Sequence, residues 1–383
     1  MKRLIYAISA LAAIATSCRE DELVVPTEYD ILPVPTQPGA VPRGMYLLNE
    51  GNMGSNKSSI DYVDFRNALY SRNMYAQANP SVVMELGDVG NDIAIYGSKL
   101  YAVINCSHKV EVMDAHTLRR IGKIDIPNCR YIKFHRGNAY VSSYVGPVQI
   151  DPDAQLGAVF RVDTASLEVT GKCMVGYQPD ELEIVGEYIY VANSGGYRMP
   201  LYDYTVSVVE IQGFKQVRKI PVGINLHRIR ADRYGRLWVT SRGNYGSVRS
   251  KLFVLERANK FTNEMRVTDT LDIPCSNLVI RGDSLYYYAT EWSNTEERNR
   301  VSYGIIDVRT KQKIADSFIS DGTEGDIEVP YGLNINPSTG DIFITDAKNY
   351  VSSGSLHCYG RDGRRKWSIR TGDIPAHTVF LEK

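Results

Sequence analysis

The residue types able to do chemistry in this chain are Asn, Asp, Arg, His and Tyr, and they gather at one place in a repeated pattern. Aligned on the repeat described below, Asn91 and Asp92, Arg130 and Tyr131, Asp180 and Glu181, His227 and Arg228, Ser276 and Asn277, Tyr331, and His377 fall at equivalent positions. A second set lies in long stretches rich in Asn, Gly, Tyr and Arg: "NEGNMGSNKS", "SSYVGPVQIDPDAQLG", "NSGGYRMPLYDYT", "SRGNYGSVRS", "EWSNTEERNR" and "DAKNYVSSGS". From these come Asn52, Tyr144, Tyr197, Tyr245 and Trp292 as candidates. The chemistry on offer is recognition. Aromatic rings supply flat surfaces, and amides and guanidinium groups supply paired hydrogen bonds. The plainer alternative is that long polar loops are merely solvated. Because most repeats lengthen the same loop, binding is the preferred reading.

Catalytic signatures are scarce. The sequence holds no GxSxG, no HExxH, no P-loop and no dinucleotide fingerprint in a strand–helix setting. Its six histidines are scattered, and His108, His116, His135 and His357 read as incidental. Asp180, Glu181, Asn91 and Asn277 carry the hard oxygens that calcium takes. Arg130 and Arg228 crowd the same place, so no metal and no catalytic residue is expected. A lactonase-like hydrolase with a channel metal is the enzymatic alternative, and a protein-interaction module is the third. The 44 basic and 44 acidic residues cancel, which leaves no general footprint for nucleic acid.

Stepping along the chain from about residue 88, one pattern recurs: a Pro- or Gly-containing turn, an apolar-alternating segment, a Gly turn, a Tyr- and Val-rich strand, a polar loop, then two more strands. "GYQPDELEIVGEYIYVANSGG" followed by "TVSVVEIQGFKQVRKIPVG" is the clearest copy. Each segment alternates at period two, as half-buried strands do, and no amphipathic helix is evident outside the leader. Turns such as "RGDS" and "NPSTG" suit hairpins. Six complete four-strand units result. The chain before them matches only a second, third and fourth strand, and "IPAHTVFL" at the C-terminus matches the missing first one. The pattern predicts an all-β fold, a seven-bladed β-propeller of roughly 48 residues per blade, closed by the C-terminal strand completing the N-terminal blade. In that geometry the two sets of candidate residues open on one face. The excess of Tyr (26, against 9 Phe and 3 Trp) suits short strands and ring-like ligands.

The first residues are a targeting segment. "MKR" precedes the apolar run "LIYAISALAAIATS", too short for an ordinary membrane span. "ATSC" resembles a bacterial lipobox, with Ala15 where Leu is usual, so residues 1–17 read as a lipoprotein signal peptide and Cys18 as the lipidated residue. A secretory signal followed by an unrelated cysteine is the alternative. Residues 18–43 read as an acidic and Pro-rich tether. "REDEL" resembles a surface-export signal, and five prolines from Pro26 to Pro42 suit an extended spacer. Residues 44–383 are the propeller. Five cysteines remain without a CxxC pair, so a zinc site is not expected, and blade geometry could bring Cys106 and Cys129 together.

The stretches "LLNEGNMGSNKSSIDYVD", "YVANSGG", "YAVIN" and "IPAHTVF" resemble those of YncE-like seven-bladed propellers. With the lipobox, the acidic run and the length, the chain is similar to the BtuG group of surface cobalamin-binding lipoproteins. The resemblance implies a protein held on the extracellular face of the outer membrane by a lipid anchor. It would capture cobalamin or a related corrinoid as a bound ligand, not a catalytic cofactor, and pass it to a TonB-dependent outer-membrane transporter. No ligand motif carries over residue by residue. The expected site therefore rests on loop geometry: Asn52, Asn91, Arg130, Tyr144, Asp180, Tyr197, His227, Arg228, Tyr245, Asn277, Trp292, Tyr331 and His377.

Overall fold

The computed structural model describes residues 28–82, 86–259, 264–293 and 298–382. Strand follows strand, and they assemble into seven antiparallel sheets arranged as the blades of a ring. The innermost strands of blades 2 to 7 are Gly90–Tyr96, Cys129–His135, Pro179–Val185, Leu226–Ala231, Asn277–Arg281 and Pro330–Ile335. Blade 1 takes its innermost strand, Pro375–Leu381, from the other end of the chain, where it pairs with Gly44–Asn49. Each innermost strand touches the next, and the last touches the first, so the ring is closed. The expected propeller and its closure are both present.

Apolar seams lie between blades, not within them. Val103 and Val112 of blade 2 pack with Ile132, Val141 and Phe160 of blade 3. Met45, Leu47 and Val63 of blade 1 pack with Phe343, Leu356 and Trp367 of blade 7, which seals the junction where the chain ends meet. Second and third strands are consequently buried on both faces, as in Lys99–Ile104 and Thr205–Glu210. Only outer strands such as Arg120–Asp125 show the half-buried pattern expected of all of them. The reason is that a middle strand has a neighbouring blade on either side, so both of its faces leave water.

Two details differ from the expectation. Tyr29–Ile31, within the segment read as a tether, adds a fifth outer strand to blade 1 by pairing with Leu69–Ser71. Leu32 is buried against Ala68 and Tyr70, and Arg72 bridges to Asp30 at 2.5 Å. The pairing covers the outward backbone groups of Leu69–Ser71 and makes the short strand Tyr29–Ile31 the edge. A single helical turn, Met74–Ala78, also buries Tyr75 and Ala76 beside blade 1. The expected leader and Cys18 lie outside the described residues. Among the described residues no helix is long and apolar enough to cross a membrane.

The feature that builds the site is a β-bulge repeated at one end of the innermost strand in six of the seven blades. In blade 3, Val141 faces Ile132 and Ser143 faces Cys129, so Arg130 and Tyr131 together stand opposite Ser142. Asp180 and Glu181, His227 and Arg228, and Tyr331 and Gly332 are bulged in the same way. A bulge twists the strand and redirects side chains. Second-strand hydroxyls satisfy the displaced backbone. Ser142 accepts from the Tyr131 N–H at 3.1 Å and donates to the Asp180 carbonyl at 2.7 Å. Thr345 does the same between Gly332 and Pro375, both at 2.6 Å.

Closure and bulge packing each make a prediction. A chain ending at Ile374 lacks the strand that completes blade 1, and it is expected to lose its cooperative thermal transition and its monomer peak on size exclusion. A truncated monomer melting near the parent would show that closure is dispensable. At Gly332 a Cβ would fall 2.1 Å from the Ala376 carbonyl oxygen. Gly332→Ala should therefore destabilise the fold by roughly 1–3 kcal/mol in urea titration.

Candidate functional site

The bulged ends of the inner strands and the loops joining second to third strands open on the same face, around a cavity of about 860 Å³. Of the sequence candidates, Asn91, Arg130, Tyr197, His227, Arg228, Tyr245, Tyr331 and His377 line it. Tyr131, Tyr288 and Tyr350 add three more rings to the wall. Loop tips at the rim expose apolar or aromatic side chains, among them Met53, Tyr245 and Val248.

The remaining candidates sit behind the wall or beside it. Asp180 is fully buried and accepts from Arg130 Nε at 3.3 Å, Tyr144 OH at 2.8 Å and Arg242 Nη1 at 3.0 Å. Tyr144 lies under the Arg130 guanidinium, 4.7 Å from ring centre to Cζ. Asn277 donates to the Tyr331 carbonyl at 3.3 Å, and Asn91 to the Arg130 carbonyl at 2.8 Å, each tying one inner strand to the next. Asn52 lies in the loop after Gly44–Asn49, where its carbonyl accepts from Ser55. Trp292 is on the strand Ser284–Ser293, its backbone opposite Asn299. Thus Asp180, Tyr144 and Asn277 hold the lining in place instead of facing the cavity.

Behind the wall, the buried Glu181 accepts from the Ile229 N–H at 3.0 Å and from Arg230 at 2.5 Å, with Arg228 at 4.0 Å. Arg228 donates to the Tyr131 hydroxyl at 3.0 Å, and that hydroxyl lies 3.2 Å from His227 Nε2. Either partner can donate across the Tyr131–His227 contact, according to which ring nitrogen carries the proton. Across the mouth, Glu50 accepts from the Tyr331 hydroxyl at 2.9 Å and lies 3.7 Å from His377. Asp92 accepts from the Ile132 N–H at 3.0 Å and lies 4.0 Å from His377.

Burial, then Arg242, Arg228, Arg130 and His377, hold His227 well below the usual histidine range, so the ring is neutral. Burial pushes the Tyr131 hydroxyl up to about 12. The thiols of Cys106 and Cys275, both on the wall, are raised chiefly by burial, which makes them poor nucleophiles. Cys106 and Cys129 are free thiols. Among the described residues no three His, Cys, Asp or Glu are grouped to hold a metal ion.

Two lining residues with decisive partners, Arg242 and Glu50, were not among the sequence candidates. Each follows directly on a second strand, inside the stretches "SRGN" and "NEGN", and that position was the available signal.

Residues 43–381 match the family model described as "Domain of unknown function (DUF5074)". No curated protein matches the sequence. Among solved structures, the chain is similar to a hypothetical selenium-binding protein from Sulfolobus tokodaii, with a TM-score of 0.62 at 11% identity over 91% of this chain and 94% of that one. It is also similar to a quinonprotein alcohol dehydrogenase-like protein from Bacteroides thetaiotaomicron, with a TM-score of 0.58 at 13% identity over 90% of this chain and 79% of that one. A functionally unknown protein from Desulfotomaculum acetoxidans gives 0.59 at 9% identity over 89% and 99%. At such identities the likeness shows the fold.

The neutral His227 makes a pH prediction. Its folded-state pKa lies below the unfolded value of 6.5, so the unfolded chain takes up the proton first as the pH falls. The associated stability is fully present above about pH 6.5 and is lost below it, at about 1.4 kcal/mol per pH unit. His227→Gln should flatten the fall in urea midpoint between pH 7 and pH 5. An equally steep fall in the variant would mean that His227 is not held neutral.

Proposed function

We propose that this chain, which belongs to the DUF5074 family and folds as a seven-bladed β-propeller, is a capture protein: it holds cobalamin or a related corrinoid in the cavity at its loop-rich face and does no chemistry on it. The observation that carries the reading is the composition of that cavity. Tyr131, Tyr197, Tyr245, Tyr288, Tyr331 and Tyr350 line it, together with arginine and asparagine. A corrin is a broad, flat macrocycle fringed with amides, and it carries a nucleotide tail. Tyrosine rings give it stacking surface, and hydroxyls, amides and guanidinium groups pair its fringe.

Rigidity supports the same reading. The lining residues are fixed by buried carboxylates and by inter-blade hydrogen bonds, so little ordering entropy opposes binding. The raised thiols and the neutral, hydroxyl-paired His227 leave the wall suited to contact more than to nucleophilic attack. In this proposal Cys18 carries the lipid anchor, the propeller stands on the outer face of the outer membrane, and a TonB-dependent transporter receives the ligand.

The test is calorimetric titration of the full chain, purified in detergent, with cyanocobalamin. The expected outcome is tight one-to-one binding. Tyr245→Ala removes an exposed loop-tip ring without touching the core and should weaken binding about tenfold. A flat titration, with no red colour kept after desalting, would sink the corrinoid reading.

A further inference from the structure

Around His227, the cavity wall and the residues directly behind it hold more guanidinium groups than the carboxylates paired with them. Four guanidinium groups, those of Arg130, Arg242, Arg228 and Arg230, share two carboxylates, those of Asp180 and Glu181. Asp180 divides its two oxygens between Arg130 and Arg242. Glu181 is taken by Arg230 and the Ile229 N–H, which leaves Arg228 4.0 Å from it. Of the acids that line the cavity, Glu50 is engaged with the Tyr331 hydroxyl and His377, and Glu291 pairs with Arg249 at 3.3 Å; Asp92, beside the lining, accepts from the Ile132 N–H and lies 4.0 Å from His377.

Arg228 is the telling member. It is 6% exposed, and among the described residues its side chain donates to a neutral hydroxyl while its Nε–H finds no acceptor. A buried guanidinium without a hydrogen-bonded anion is costly, and so is a buried donor left unmade. Arg130 and Arg242 line the same cavity as His227, and with Arg228 they act on it electrostatically to disfavour its charged form. Donors in fixed positions, backed by carboxylates that stop short of neutralising them, suit an incoming anion.

We infer that Arg130, Arg228 and Arg242 form an anion subsite that seats a phosphate or carboxylate group of the bound ligand. The inference rests on the reading of the mouth as a ligand seat and not on the ligand being a corrinoid. It narrows the ligand class to organic molecules bearing at least one such group beside the flat surface the tyrosines take.

The experiment titrates the full chain with inorganic phosphate and, separately, with acetate, at ionic strength held constant with sodium chloride, reading heat and melting temperature. Saturable phosphate binding is expected, and Arg242→Gln should weaken it at least tenfold. Arg242 is 29% exposed and Asp180 keeps Arg130, so this variant is expected to fold. Arg136→Gln removes the same charge from an exposed turn beside Glu187 and should leave phosphate affinity unchanged. Acetate matching phosphate would assign the seat to carboxylates, and acetate failing would assign it to phosphates. The inference is overturned if neither anion binds beyond sodium chloride, or if Arg136→Gln weakens binding as much as Arg242→Gln. Phosphate binding without cyanocobalamin binding would refute the corrinoid reading alone. Cyanocobalamin binding that phosphate does not compete with, and that Arg242→Gln leaves unchanged, would refute the subsite alone.

Discussion

Everything in this molecule depends on one pairing between the two ends of the chain, Pro375–Leu381 against Gly44–Asn49. Without it blade 1 lacks its inner strand, and Pro330–Ile335 and Gly90–Tyr96 each lose the inner-strand neighbour they touch. The apolar seam between blades 1 and 7 is also set by it, since Phe343 and Trp367 pack on Met45 and Leu47. Once the ring is closed, every blade has a packed neighbour on both sides and only its short outer strand is left as an edge. The cost is topological: the closing pair joins residues roughly 330 positions apart in sequence, and pairing at such separation is intrinsically slow.

Closure also dictates where chemistry can occur. Seven inner strands converge on one axis, and in six of them a bulge interrupts the pairing at the same end. Second-strand hydroxyls such as Ser142 and Thr345 take up the displaced N–H groups and reach the next blade's carbonyls. The bulges also place Arg130, Tyr131, His227, Arg228 and Tyr331 on the lining of the mouth. Structural necessity and binding surface thus share residues. A fold of this kind supplies a rigid platform and says nothing about which ligand it meets. The specificity resides in what the bulges and loops carry.

Electrostatics at the mouth are organised by burial. Asp180 and Glu181 are shielded from water, so their attraction for the surrounding arginines is little screened and fixes several long side chains at once. Burial first, and then the arginines held around it, keep His227 neutral. Tyrosine is suited to such a wall because its ring covers apolar surface while its hydroxyl mediates between charges, as Tyr131 does between Arg228 and His227.

The blade count, the six complete units and the completion of the first blade by "IPAHTVFL" were all legible in the sequence. Period-two strands and hairpin turns are local, and a strand missing at one end with a spare at the other has one economical solution. The face that carries the long loops was legible too, because loop order within a repeat dictates which end of the ring a loop reaches. What the sequence could not resolve was the depth of each residue. Asp180 and Arg130 stand at equivalent repeat positions, yet one is buried as an anchor and the other faces the cavity. Leu32, in a proline-rich stretch that reads as a spacer, is instead buried beneath blade 1. The pairing of Arg242 with Asp180 joins residues 62 apart on neighbouring blades. Local pattern determines strands and their order, since it depends on backbone geometry alone. Burial, ion pairing and the surplus of guanidinium groups around His227 are decided only when the ring brings distant strands together, because they depend on which side chains share the same low-dielectric space.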